Sequence, residues 1–394
     1  MRHLFAFLTV LGLLLAFGCE NVTAPSSDVL DSGEDELTRR EAVVASERIE
    51  VEQERRAYEK RIAEYRVVLA KRSADALFQG SKITVPDDYP TIQAAVNAAS
   101  PGTKIKVKEG SYDEQVTVMT ADLRITAEGD VSVEQGFLIS STSGVEIENM
   151  TINRTTGVST EQDAVVVMDC SEITIQDNVI HGGSDGIWMV NTSESLIKGN
   201  DITAVRDQGV DLYDGCEDNV IEENTVVAEE EAVELDKLCN NNEIANNTVT
   251  SNGDDVIDLA NSHNNEIVEN TIHSLYDDGV ELIDGSSGNE ITENIIIDSE
   301  SDGIIIEYSS NNRLTDNLVE NADDNGVEFL GDSANNTFGS GNIVKDNNDK
   351  GLLLARDTVN NTIKKNTICG SGNADVVDRG ASNTFKDNET GACN

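Results

Sequence analysis

The chain has 394 residues and a formal net charge of −46, from 74 acidic against 28 basic side chains, and only 4% of its residues are aromatic. So acidic a chain excludes nucleic acid as a partner, because phosphate contacts need clustered Lys and Arg. An acid excess of this size ordinarily means disorder, but beyond residue 81 it coexists with regular β-branched runs, which points instead to a folded unit with an acidic surface.

The chain opens Met-Arg-His, runs apolar from Leu4 to Phe17, and reaches Gly18-Cys19. A short basic start and a brief apolar core mark a secretory signal rather than a membrane span. Cys19 resembles the cleavage-point cysteine of a bacterial lipoprotein box, although Ala16 and Phe17 stand where Leu and a small residue are usual. That resemblance implies a lipoprotein signal over 1–19, lipidation at Cys19 and an envelope tether at the outer membrane or cell surface. The lipid would be the only membrane contact. Residues 20–37, rich in Ser, Thr, Asp, Glu and Gly, read as a flexible linker. Residues 38–78 carry Glu, Arg, Ala and Lys without Gly or Pro, which favours a helical stalk. Val44, Val51, Tyr58 and Tyr65 fall seven apart, with Ile62 and Leu69 beside them, but Arg48 and Arg55 interrupt the seam. A coiled-coil oligomer and a single helix therefore both stay open.

From there one phrase repeats. It reads N-x-[I/V/L/F]-x-x-N, followed some eight or nine residues later by an acid and Gly-[I/V]-x-[L/I/F]. Its last Asn falls at Asn178, Asn200, Asn224, Asn247, Asn270, Asn294, Asn317, Asn366 and Asn388, a spacing of 22 to 24 residues with one degenerate copy near Asn342. A fixed period of this length means a solenoid. At ~3.3 Å per residue such a coil makes three short strands and three bends, stacked ~4.8 Å from its neighbour. Val210 and Leu212 then point inward, as do Val233 and Leu235, Ile257 and Leu259, Val280 and Leu282, Ile304 and Ile306, and Val327 and Phe329. Gly186, Gly209, Gly279, Gly303 and Gly326 precede those strands, where the bend needs positive φ or no side chain. The Asn columns read as scaffold, tolerating αL at turns and hydrogen-bonding from coil to coil.

Residues 83–100, with Ile92, Ala95, Val96 and Ala99 on one helical face and Pro101-Gly102 behind, form a cap. This segment and the repeats after it resemble the pectin-lyase-like superfamily of right-handed parallel β-helices, which includes pectin methylesterases, polysaccharide lyases, C5-epimerases and NosD-like repeat proteins. The resemblance implies an all-β parallel β-helix of about eleven coils over 81–394, and it is weak for activity, because function lives in sites grafted on folds. In the same frame Cys170, Cys216 and Cys239 share a column, and Cys369 and Cys393 stand about one coil apart. Cys369–Cys393 and Cys216–Cys239 are therefore disulfide candidates, with buried thiols as the alternative.

The outward position between the inward pairs holds Trp188, Asp211, Glu234, Asp258 and Glu281 on successive coils, and Asp254 and Asp277 lie in the bends beside it. Carboxylates ~4.8 Å apart repel by ~0.9 kcal/mol in water, so a bare ladder wants cations, protons or salt. Asp211, Glu234, Asp258, Glu281, Asp254 and Asp277 are the candidate metal ligands, with Ca²⁺ the cofactor they would take. Trp188, Tyr213, Glu234 and Glu281 are candidate glycan-binding residues, since ring faces stack on sugars and acids accept hydroxyl protons. The plainer reading is a solvated acidic wall, for the composition resembles that of salt-in halophile proteins. The sequence shows no nucleophile triad, phosphate loop or zinc spacing. The expected function is an envelope-anchored, surface-exposed β-helix lipoprotein that binds glycans or cations or serves as a structural or adhesive spacer, without catalysis. The alternative is a Ca²⁺-assisted polysaccharide lyase or uronate epimerase, with Arg206 or Lys237 as base beside Asp211 and Asp258.

Overall fold

The computed structural model describes residues 80–154 and 163–393. The expected signal, linker and stalk, with Cys19 among them, lie outside the described residues. What is described is a right-handed parallel β-helix. Each coil contributes three strands, as in Val220–Glu222, Thr225–Ala228 and Val233–Asp236. The first two strand types join a 25-stranded sheet and the third forms a 12-stranded sheet, all pairings being parallel. Twelve strands in that second sheet place the coil count close to the eleven expected.

The first coils are closed by helix α1, Ile92–Ala98. Thr91 caps it by accepting the Ala94 N–H on Oγ1 at 3.1 Å, which satisfies one of the orphan donors of the first turn. Ile92, Ala95 and Val96 are buried against the strands.

The interior is one continuous apolar cluster running from Ile83 to Ile368. All six inward pairs, from Val210 and Leu212 to Val327 and Phe329, are fully buried. Gly209 and Gly303 show which of the two reasons for a bend glycine applies. Neither is in the positive-φ set. A Cβ on Gly303 would stand 2.2 Å from Val319 Cγ1 and 2.6 Å from the Gly326 carbonyl, and one on Gly209 would be 2.2 Å from Val226 Cγ1. The bend leaves no room for a side chain.

The Asn columns are internal ladders. Asn224 donates Nδ2 to Asn247 Oδ1 at 3.0 Å, and its backbone N–H reaches the same oxygen at 2.9 Å. In the second column Asn219 does the same to Asn242. The αL conformation belongs to the preceding residues instead: Glu223, Asn246 and Glu269 have φ of 57°, 56° and 56°. The expectation that the column Asn themselves occupy αL is thus corrected. Each needs its side chain turned inward to bond two neighbouring coils, and the residue before it makes the turn.

Cys369 and Cys393 are joined by a disulfide, their Cα atoms 5.2 Å apart. Cys216 and Cys239, offered as a second bridge, are separate free thiols. They occupy a turn column continued by Ser262 and Ser286: Cys216 N–H bonds Cys239 Sγ, Cys239 N–H bonds Ser262 Oγ, and Ser262 N–H bonds Ser286 Oγ. Cys239 Sγ in turn donates to the Leu212 carbonyl, as Ser262 Oγ does to Leu235. Sulfur here stands in a hydroxyl ladder.

Candidate functional site

The repeat places the outward acids in register. Trp188 pairs with Asp211, Asp211 with Glu234, Glu234 with Asp258, and Asp258 with Glu281, each across one coil step. The ladder ends at Ile305, which pairs with Glu281.

A second column runs along the bend, through Asp163, Asp185, Gln208, Glu231, Asp255, Asp278, Asp302 and Asn325. Several of its carboxylates accept a backbone N–H from the coil after: Asp255 Oδ1 from Asp278 at 2.9 Å, Asp278 Oδ1 from Asp302, and Asp302 Oδ1 from Asn325, both at 2.6 Å. Those bonds give this column a scaffold role the ladder lacks. The two columns also meet diagonally, Asp255 hydrogen-bonding Glu281 and Asp302 hydrogen-bonding Glu328.

The ladder faces away from the core yet is not open to water. Asp211 and Asp258 are each only 7% exposed. Oδ1 of both is buried without a hydrogen-bond partner. Most buried polar atoms are paired, so these two stand out.

Burial first, and then the neighbouring carboxylates, push the whole face toward its protonated form. Asp211 is raised to about 9, with Glu234 and Asp185 as its nearest like charges, and Glu234 to about 8. Asp258 is raised well above its ordinary value by burial, then by Glu281 and Glu234. Asp255 and Glu281 are both raised, by burial first. Desolvation disfavours the charged form, and like charges add to it.

The two suggested bases are not brought together. Arg206 precedes the bend, is exposed, and donates Nε to the Gly183 carbonyl. Lys237 follows the strand at its other end, in αL with φ 57°. Its ammonium lies 3.9 Å from the Tyr213 ring centre, donates to Tyr213 Oη, and pairs with Asp236 at 3.4 Å. Trp188 is half-buried at the head of the ladder. Tyr276 and Tyr308 are 65% and 57% exposed.

Among the described residues, metal-ligating side chains come together at Asp254, Asp255 and Asp277, whose donor oxygens lie within 4.8 Å of one another. The sequence pointed to Asp254 and Asp277, but the buried Asp255 joins them. Asp255, Asp278 and Asp302 are legible in the sequence as acids just before the bend, but Asp185 was missed, and so was the burial of all four. Their signal was an acid or amide directly before the bend glycine, on coil after coil.

The comparisons agree with this architecture. A family model described as periplasmic copper-binding protein (NosD) matches residues 96–302, and one described as right handed beta helix region matches residues 240–390. No curated protein matches the sequence. Among solved structures, the Azotobacter vinelandii mannuronan C-5 epimerase AlgE4 A-module is 16% identical, covering 81% of this chain and 95% of that one at a TM-score of 0.56. The catalytic domain of a GH87 alpha-1,3-glucanase in complex with tetrasaccharides is 15% identical, covering 78% and 69% at 0.58. A mutant of the periplasmic alginate epimerase AlgG is 17% identical, covering 81% and 88% at 0.50. At these identities the neighbours show the fold. With the NosD model spanning more than half of its length, the chain belongs to the NosD family of right-handed β-helix proteins.

Proposed function

We propose that this is an exported β-helix protein that binds carbohydrate along its acidic ladder face without transforming it. The observation that carries the reading is the register: one half-buried indole stands beside Asp211, at the head of a row of four carboxyl groups on consecutive coils. A rigid row of hydrogen-bond acceptors with an aromatic platform at its end suits an extended chain of hydroxyl-bearing rings. Three structural neighbours, two epimerases and a glucanase, support a carbohydrate ligand. The family's periplasmic description and the signal-like N-terminus support export. The lipid tether at Cys19 and the stalk helix belong to this reading as proposals.

Copper, which the family description names, does not fit this chain. The sequence has four His and five Met. Among the described residues the metal-competent cluster is all carboxylate, a hard donor set that suits Ca²⁺, Mg²⁺ or Mn²⁺. His181 bonds Thr203, and His273 lies apart from it, 4.0 Å from Asp298. The adjacent thiols of Cys216 and Cys239 are committed to the turn ladder.

The test is retention on a glycan array, comparing the wild type with Trp188→Ala. Binding that weakens roughly ten-fold or more on loss of the ring supports the reading. No retention on neutral or anionic polysaccharides removes it. One observation favours a second reading, lyase or epimerase chemistry: the Lys237–Tyr213 pair, an ammonium on a phenol at the edge of the ladder. Such a pair could take and return a proton. Unsaturated uronides appearing in ultraviolet absorbance, and vanishing in Tyr213→Phe, would establish it.

A further inference from the structure

We propose that the outward face formed by the second strand of six successive coils, from Thr225–Ala228 to Ile343–Lys345, is a docking surface for a cationic amphipathic helix of a partner protein. These strands belong to the 25-stranded sheet, whereas the acidic ladder lies on the 12-stranded one. The repeat breaks on this face. Its first outward position holds Thr225, Thr248 and Thr271, then Ile295, Leu318 and Ile343, and returns to Thr367 on the next coil. Ile295 and Ile343 are 44% and 43% exposed, with the half-buried Leu318 in register between them. Coils stack ~4.8 Å apart, so the three side chains make one continuous stripe. Leu275 and Tyr276, exposed just past the end of the Thr271–Ser274 strand, extend the apolar surface. Strand propensity does not account for the change, since Thr is already β-branched and Leu is not. Apolar residues exposed singly are ordinary, but a contiguous stripe marks a contact surface.

Charge sets the same face apart. At the third position of these strands Glu320 and Lys345 neutralise each other at 2.9 Å, and the other residues there are uncharged apart from His273. The centre of the face is thus neutral in a chain of net charge −46. Acids return at both margins. Glu223, Glu269, Glu293 and Asp316 are exposed in the left-handed turns before the strands, and Glu229 and Asp298 are exposed after them.

These features select the occupant. Every strand of the face is already paired to the coils on either side, so a partner strand finds no free backbone edge and contact runs through side chains. A second copy would bring its own acidic margins against these. A helix whose apolar stripe is flanked by Lys and Arg fits the centre and both margins. The first and last of the strands stand five coil steps apart, roughly 24 Å, a length spanned by roughly 16 helical residues. The surrounding acids draw such a segment in, more weakly as salt rises.

The experiment uses the full chain and fluorescence anisotropy. The probe is a labelled Leu/Lys peptide of about 18 residues with Leu at helical spacing, beside a scrambled peptide of the same composition. The wild type should bind the patterned peptide roughly ten-fold more tightly than the scrambled one. The triple variant Ile295→Thr, Leu318→Thr, Ile343→Thr installs the residue that the repeat uses elsewhere in this column, and should bind both peptides alike. Should it not fold, the exposed Ile343→Thr alone should narrow the preference. Glu269→Gln with Glu293→Gln leaves the stripe intact and should weaken the patterned peptide roughly three-fold or more at low salt. Equal affinity of the wild type for the two peptides, or a preference that survives the triple variant, overturns the proposal. So does dimerisation in sedimentation velocity that the triple variant abolishes, which gives the face to a second copy. Faster proteolysis of residues 38–78 in the triple variant also overturns it, giving the face to the chain's own N-terminal segment.

Discussion

Asp211 lies beside Glu234 on the adjacent coil, in register, and neither has a basic partner among the groups that set its charge. Two carboxyl groups so placed cannot both be ionised cheaply, and much of what can be measured on this protein follows from that.

The pH dependence of stability has a definite sign. Burial raises Asp211 from 3.8 to about 9 and Glu234 from 4.5 to about 8. Between those values the unfolded chain has released protons that the folded chain keeps, so stability falls as pH rises. Metal-free protein at constant salt should show Tm declining from about pH 5 to about pH 9. A profile that is flat or rising through that window would contradict the assigned burial.

Asp211→Asn should stabilise the metal-free protein at pH 8. It keeps the shape of a side chain that is 7% exposed and removes the charge that burial opposes. A gain of roughly 1–4 kcal/mol in chemical denaturation is expected. The gain should shrink as pH falls below about 4, where the unfolded carboxyl, ordinarily at 3.8, becomes protonated as the folded one already is.

The scaffold predicts losses of a different origin. Asn247 donates to the Ile221 carbonyl at 2.9 Å and to Asn270 Oδ1 at 3.0 Å, and accepts the Asn224 N–H at 2.9 Å. Asn247→Ala strands buried groups on two neighbouring coils and should cost roughly 2–4 kcal/mol, independent of pH. Gly303→Ala forces a methyl against Val319 and the Gly326 carbonyl, a loss of roughly 1–3 kcal/mol. Denaturant melts at two pH values separate these from the ladder effects.

Reducing the Cys369–Cys393 bond opens a closure of 24 residues, worth about 3 kcal/mol in chain entropy. Coils of a solenoid contact only their neighbours, so the loss should be local. Hydrogen exchange should quicken over strands Thr362–Lys364 and Thr384–Lys386 and stay unchanged near Trp188. Faster exchange throughout the chain would mean that the last coils support the whole.

The sequence by itself determined what stands above what. A period of 22 to 24 residues makes side chains one period apart vertical neighbours, so the core pairs, the Asn columns and the order Trp188, Asp211, Glu234, Asp258, Glu281 could all be read before any coordinates. Only the tertiary structure decided what stands beside what. That Asp255 reaches Glu281, that the outward Asp211 and Asp258 are nonetheless buried, that αL falls on Glu223 rather than Asn224, and that Cys216 and Cys239 serve a hydroxyl ladder all depend on the angle of each bend. Periodicity fixes the stacking direction because identical spacing repeats along it. The lateral direction carries no repeat, and is set by how bends and side chains pack once the coils have closed.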